Sequence, residues 1–254
     1  MSIPGLLACL LLAAPASAAG THTLIARFVR GGNVYSHSMK VAEGSQEVFK
    51  GQSFGQNILM NAVLAPKDGS LLLQLQLEVS RPDGSRSVQV QTGVTMNSGD
   101  RVTAVECGDW RLDLALDAAL PNAAPPAWKP GGPNYRLATT VGKRRCRQVR
   151  DLESQTNIVD SVNVGGRRGG FILNTILLKP AKNASSLQYQ IEDTPNQLMG
   201  SVDLALGRKA SDHGGAVEFL LEGPPFAPVP SAVPAPAAPA TAPPDGGGAV
   251  PLLR

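Results

Sequence analysis

The feature that most constrains this chain is an internal repeat. Residues 58–78, ILMNAVLAPKDGSLLLQLQLE, return 114 positions later as residues 172–192, ILNTILLKPAKNASSLQYQIE. Laid over each other without a gap, the two copies share Ile58/Ile172, Leu59/Leu173, Leu64/Leu178, Pro66/Pro180, Leu73/Leu187, Gln74/Gln188, Gln76/Gln190 and Glu78/Glu192. The register runs outward through Val48/Val162, Gly51/Gly165 and Gly55/Gly169 on one side and Ser87/Ser201, Val88/Val202 and Gly93/Gly207 on the other. About 14 identities over roughly 49 ungapped positions point to one supersecondary unit used twice.

The unit reads as a β-hairpin. In residues 71–80, Leu71, Leu73, Leu75, Leu77 and Val79 alternate with Gln74, Gln76, Glu78 and Ser80, so one face is core and the other wet. Pro66-Lys67-Asp68-Gly69, Arg81-Pro82-Asp83-Gly84 and Asn97-Ser98-Gly99-Asp100 are turn signals between such strands, and no segment carries a capped helical stripe. The pattern predicts an all-β chain of two tandem antiparallel β-sandwich-like modules, over residues 19–120 and 135–222. Five prolines in residues 118–134 break the pattern and place a Pro-rich linker at 121–134. Residues 223–254 turn to Pro, Ala and Gly, a composition that predicts a disordered tail.

Residues 1–18 read as an export signal: an apolar run from Leu6 to Ala14, then Pro15 and Ala16-Ser17-Ala18, with cleavage after Ala18. The run is too short to span a bilayer, so no transmembrane segment is expected after its removal, and the mature chain is expected in the periplasm or outside a bacterial cell. Cleavage removes Cys9 and leaves Cys107 and Cys146 in an oxidising setting. Two readings stay open for them, a disulfide closing a loop of about 40 residues and worth roughly 3–4 kcal/mol, or two buried thiols.

Little in the chain points to chemistry. At 4% aromatic it is sparse for a sugar-binding or base-stacking surface, and a formal net charge of +3 is small for a nucleic-acid protein. His22, His37 and His213 are scattered without metal-ligand spacing, so neither metal nor cofactor is expected. No Gly-x-Ser-x-Gly elbow occurs, and Asp212-His213 has no nucleophile in view. Glu78 and Glu192 match as a carboxylate pair would, but duplication explains the match. The basic run Lys143, Arg144, Arg145, Arg147 and Arg150, with Arg167 and Arg168, suits an anionic partner or a solvated strand edge protected from pairing. Asn183-Ala184-Ser185 fits the glycosylation tripeptide.

Residues 41–55, VAEGSQEVFKGQSFG, the hairpin ILMNAVLAPKDGSLLLQLQLEVS and the following VQTGVTMNSGDRVTAVECG resemble the β-module of bacterial secretins. The matching elements are Leu59 to Pro66, Asp68-Gly69, Leu71 to Glu78-Val79-Ser80, and Thr92 with Ser98-Gly99; the usual Gly-Gly is here Cys107-Gly108. The resemblance implies a freestanding, duplicated relative in the bacterial envelope, not a channel. The expected function is therefore non-enzymatic and structural, in a secretion or pilus assembly, with an envelope protein or a second copy bound through β edges and no nucleic acid. The competing expectation is a periplasmic enzyme or inhibitor with a site built from dispersed loops, which would show as polar residues converging in a pocket.

Overall fold

The computed structural model describes residues 20–121, 125–128, 132–152, 154–164, 167–178, 184–193 and 196–226. The expected signal peptide, Asn183 of the glycosylation tripeptide and residues 227–254 of the expected tail lie outside the described residues. The first repeat forms β1 (Thr21–Arg30), β2 (Asn33–Ala42), β3 (Gln46–Ser53), β4 (Gln56–Lys67), β5 (Ser70–Ser80), β6 (Arg86–Met96), β7 (Arg101–Cys107) and β8 (Trp110–Leu116). The second forms β9 (Tyr135–Val141), β10 (Arg144–Arg150), β11 (Gln155–Val164), β12 (Arg167–Leu177), β13 (Ala184–Asp193), β14 (Asn196–Ala205), β15 (Lys209–Asp212) and β16 (Val217–Glu222). The fold is all-β, as the alternation predicts, with a short 3-10 turn at His213–Gly215.

Turn chemistry sets the hairpins. Asp68 and Gly69 both take positive φ, as a two-residue turn between twisted strands requires, and this leaves Pro66 and Lys67 inside β4 and not in the turn. In β5 the leucines at 73, 75 and 77 are buried and Gln74 and Gln76 exposed, following the period of two.

The strands assemble into two antiparallel sheets, in the orders β15-β16-β9-β10-β7-β8-β1-β2 and β14-β13-β12-β11-β6-β5-β4-β3. Each module supplies four strands to each sheet in the same internal order, so the duplication holds at the level of topology. The modules are not separate sandwiches. β7 pairs with β10 and β6 with β11, so both sheets run unbroken from one module into the other, and the inner faces form one hydrophobic core. The Pro-rich stretch is tied to the first module: Asn134 pairs with both backbone groups of Thr95 on β6 (2.8 and 2.7 Å), and Pro121 O accepts from Arg27 of β1.

The ungapped alignment holds in β5 and β13 but fails on either side. Leu64 lies opposite Leu73 across eight intervening residues, whereas Leu177 lies opposite Leu187 across nine. This one-residue insertion flips the parity of β12: Ile58, Met60 and Leu64 face the core, but so do Phe171, Leu173 and Leu177, not Ile172 and Leu178. The next hairpin shortens instead, with eight residues between Val79 and Val88 but two between Asp193 and Asn196. Gly93 and Gly207 therefore match in letter only. Gly93 sits in β6, where a Cβ would meet Ser154 at 2.5 Å, while Gly207 occupies a positive-φ turn.

The expected tail boundary also moves. Residues 223–226 are described, and the Phe226 ring stacks on Tyr135 with centroids 5.7 Å apart. An aromatic next to a half-apolar strand end finds burial that the proline-rich composition around it does not advertise.

Candidate functional site

Two regions draw the polar and apolar side chains that the fold leaves unexplained: the seam between modules and the two outer ends of the sandwich. At the seam, Cys107 on β7 lies directly opposite Cys146 on β10, and the two are disulfide-bonded. The bond ties the end of the first module to the start of the second, which decides between the two readings that the cysteine count leaves open.

The basic residues singled out in the sequence do not form one patch. Alternation along β10 turns Arg144, Cys146, Gln148 and Arg150 inward and Arg145 and Arg147 outward. Arg147 pairs with Glu106 across the seam at 2.8 Å, and Lys143 and Arg145 are exposed. Arg150 is fully buried, donating to the carbonyl and hydroxyl oxygens of Thr175 (3.2 and 2.8 Å). Burial pulls its guanidinium down to about 9, against the opposing pull of Asp151, so it stays charged at neutral pH. The backbone of Arg167 and Arg168 lies in β12; their side chains lie outside the described residues.

Sequence reasoning missed the acidic centre of the seam. Asp160 on β11 is 4% exposed and takes Arg30 of β1 at 3.1 Å, Arg144 of β10 at 3.6 Å and Arg86 of β6 at 3.7 Å. One carboxylate thus binds guanidinium groups from both sheets and both modules. The residues lie 130 positions apart at most, and nothing local in the chain marks their meeting.

The outer ends are different. β2 and β3 border one end and β14 and β15 the other, and among the described residues their outer edges carry no paired strand. Five large apolar side chains among the described residues are exposed, and four belong to these ends: Val34 on β2 (43%), Val48 on β3 (52%), Phe54 in the β3–β4 turn (80%) and Met199 on β14 (62%). Behind them, Phe49 of β3 and Leu198 of β14 face inward and are half-buried. Phe49 stacks against His37 of β2 at 3.4 Å between centroids, and burial lowers the His37 pKa.

Asp212 and His213, which in the sequence have no nucleophile in view, brace the other end. Asp212 accepts from the Tyr189 hydroxyl on β13 and from the His213 amide, which hold its carboxyl below the usual range. Burial, reinforced by Asp212, pushes the Tyr189 hydroxyl up. His22, at the opposite corner, lies 2.7 Å from Asp117 and 3.2 Å from Glu43; the Asp117 hydrogen bond raises its pKa against a smaller lowering by burial. Among the described residues no group of three or more His, Cys, Asp or Glu side chains is placed to hold a metal.

Glu78 on β5 and Glu192 on β13 do share the outer face of one sheet. Four strand spacings separate them, about 19 Å, well beyond the roughly 5–10 Å across which paired carboxylates act on one glycosidic bond. On the same face, Asn61, Gln74, Gln76 and Gln91 line an open cavity of about 400 Å³, with Lys67 and Asp151 paired at its rim beside Ser154. No helix among the described residues is long and apolar enough to cross a membrane. No family model, curated protein or solved structure matches the chain.

Proposed function

We propose that this chain is an exported, non-enzymatic structural protein of the bacterial cell envelope that works by pairing its exposed strand edges with a partner. The observation that carries this reading is the concentration of exposed Val34, Val48, Phe54 and Met199 on and beside the edge strands β2, β3 and β14. Unpaired N–H and C=O groups along such strands are a template for strand addition, and apolar side chains beside them favour contact with another protein over contact with water. The export signal and the resemblance to the secretin β-module support an envelope setting, in a secretion or pilus assembly.

The test is capture from native envelope with the mature chain and with variants carrying Val48→Pro in β3 or Met199→Pro in β14. An edge strand tolerates proline where the backbone N–H points away from its one neighbouring strand, so folding should persist while capture is lost. The competing reading, a periplasmic enzyme or inhibitor, rests on the Lys67–Asp151–Ser154 cavity. Capture that survives both prolines, together with turnover or inhibition lost on Ser154→Ala or Asp151→Asn, would favour it.

A further inference from the structure

The seam is a worked example of how one end of this fold pairs with the other. The topology makes β10 and β11 the counterparts of β2 and β3, and β6 and β7 the counterparts of β14 and β15. The seam therefore joins two different surfaces, and the two left free at the ends of the molecule are those same two kinds of surface. Such a head-to-tail contact does not use itself up, because each unit added presents the end that the last one covered.

We propose that the partner of each free end is a second copy of this chain, joined head to tail, with β3 of one copy pairing antiparallel to β14 of the next and β2 pairing with β15. This deepens the strand-edge reading above and rests on it.

The ladder registers make the proposal specific. With Leu73 matched to Leu187, the pairings along each sheet match Phe49 with Ile158 and Val48 with Asn157, and Leu198 with Val90 and Met199 with Gln91. At the seam Ile158 lies opposite Val90 and Asn157 opposite Gln91. Carried to the free ends, that register sets Phe49 of one copy opposite Leu198 of the next, and Val48 opposite Met199. Both pairs are apolar. Ile158 and Val90 are fully buried at the seam, while Phe49 and Leu198 are only half-buried and gain that burial on pairing. On the outer face, where the seam carries two amides, the ends carry the two most exposed apolar strand residues among those described, and the projected register brings them face to face.

The locks of the seam have no counterpart at the ends. Neither β2 nor β15 contains cysteine, and the position matching Asp160 is Gly51. Contact between copies is thus reversible and weaker than the seam.

The test uses the mature chain with its tail, followed by sedimentation velocity across a dilution series. The wild type should grow with concentration into species larger than a dimer. Val48→Lys and Met199→Lys should each sediment as monomer when alone, since each removes one end. An equimolar mixture of the two should give a dimer and nothing larger, because only one intact pair of ends remains. Val48→Cys mixed with Met199→Cys should form an intermolecular disulfide under oxidation, reporting the register directly.

A wild type that stays monomeric throughout, or a dimer that either lysine abolishes and mixing does not restore, overturns the head-to-tail proposal. If the wild type is monomeric while edge prolines still abolish envelope capture, the strand-edge reading stands and only self-assembly falls. If capture also ignores the prolines, both fall.

Discussion

The seam and the outer ends are the same kind of strand edge in two settings, and their differences show how an open edge becomes a permanent one. At the seam, Ile158 and Val90 are fully buried, a disulfide spans facing positions on β7 and β10, and Asp160 holds three arginines. At the ends, Phe49 and Leu198 are half-buried, glycine stands at the position of Asp160, and Val48 and Met199 stay in water. Backbone pairing alone is open to any strand; side chains decide whether a given pairing is kept.

The largest effect should come from unlocking the seam. Replacing both Cys107 and Cys146 with alanine is expected to cost about 4 kcal/mol on the chain-entropy model for a loop of this length. Chemical denaturation under oxidising conditions measures it. If the seam is held mainly by its ladders and core, unfolding stays a single transition; two resolved transitions would mean that the modules part as soon as the bond is gone.

Next in size is Asp160→Ala, which leaves three arginines facing inward without their shared carboxylate. Removing one partner of a buried pair typically costs about 3–5 kcal/mol, but Arg86 and Arg144 are partly exposed, and solvent screening reduces the expected loss to roughly 2–3 kcal/mol. Chemical denaturation of the variant beside the wild type measures it, and a loss below about 0.5 kcal/mol, as at an exposed position, would break the contrast between the two regions.

At the ends, Val48→Lys should change stability by less than about 0.5 kcal/mol, as exposed substitutions usually do. A larger loss would mean that Val48 is packed within the single chain, and the ends would then resemble the seam more than they appear in isolation.

The smallest effects concern two histidines that bear opposite signs. His22 has a raised pKa, so its contribution is fully present below the unfolded value of 6.5 and is lost as pH rises through its folded pKa. His37, lowered by burial behind β3, works the other way: stability is full above 6.5 and falls as pH drops toward its folded pKa. His22→Gln should flatten the alkaline side of the stability profile and His37→Gln the acidic side. NMR titration of the two imidazoles checks the order directly, with His22 above His37.

Much of the fold is legible in the chain because strand alternation and turn residues are local. β5 can be read residue by residue, and Asp68-Gly69 marks its turn. The failures came where distance along the chain matters. An ungapped repeat places Ile172 and Leu178 in the core, but one extra residue between the paired positions of β12 and β13 hands those places to Phe171 and Leu177, and identity of letters cannot reveal a change of face. The basic run looks like a patch in one dimension, yet alternation sends Arg150 inward and Arg147 outward. Val48 and Met199 did leave a trace, as apolar residues on otherwise polar strand faces, but their meaning depends on which strands end up at an edge.

By itself the sequence determined the β class, the duplication and the hairpin turns, since each follows from residue type and spacing within a few positions. Only the tertiary structure decided that the two modules share both sheets, that Asp160 of β11 gathers arginines from β1, β6 and β10, and which edges stay open. The physical reason is that sheet pairing is satisfied by any strand with free N–H and C=O groups, so the choice among neighbours is made by burial and charge across the whole sandwich and is written nowhere along a single strand.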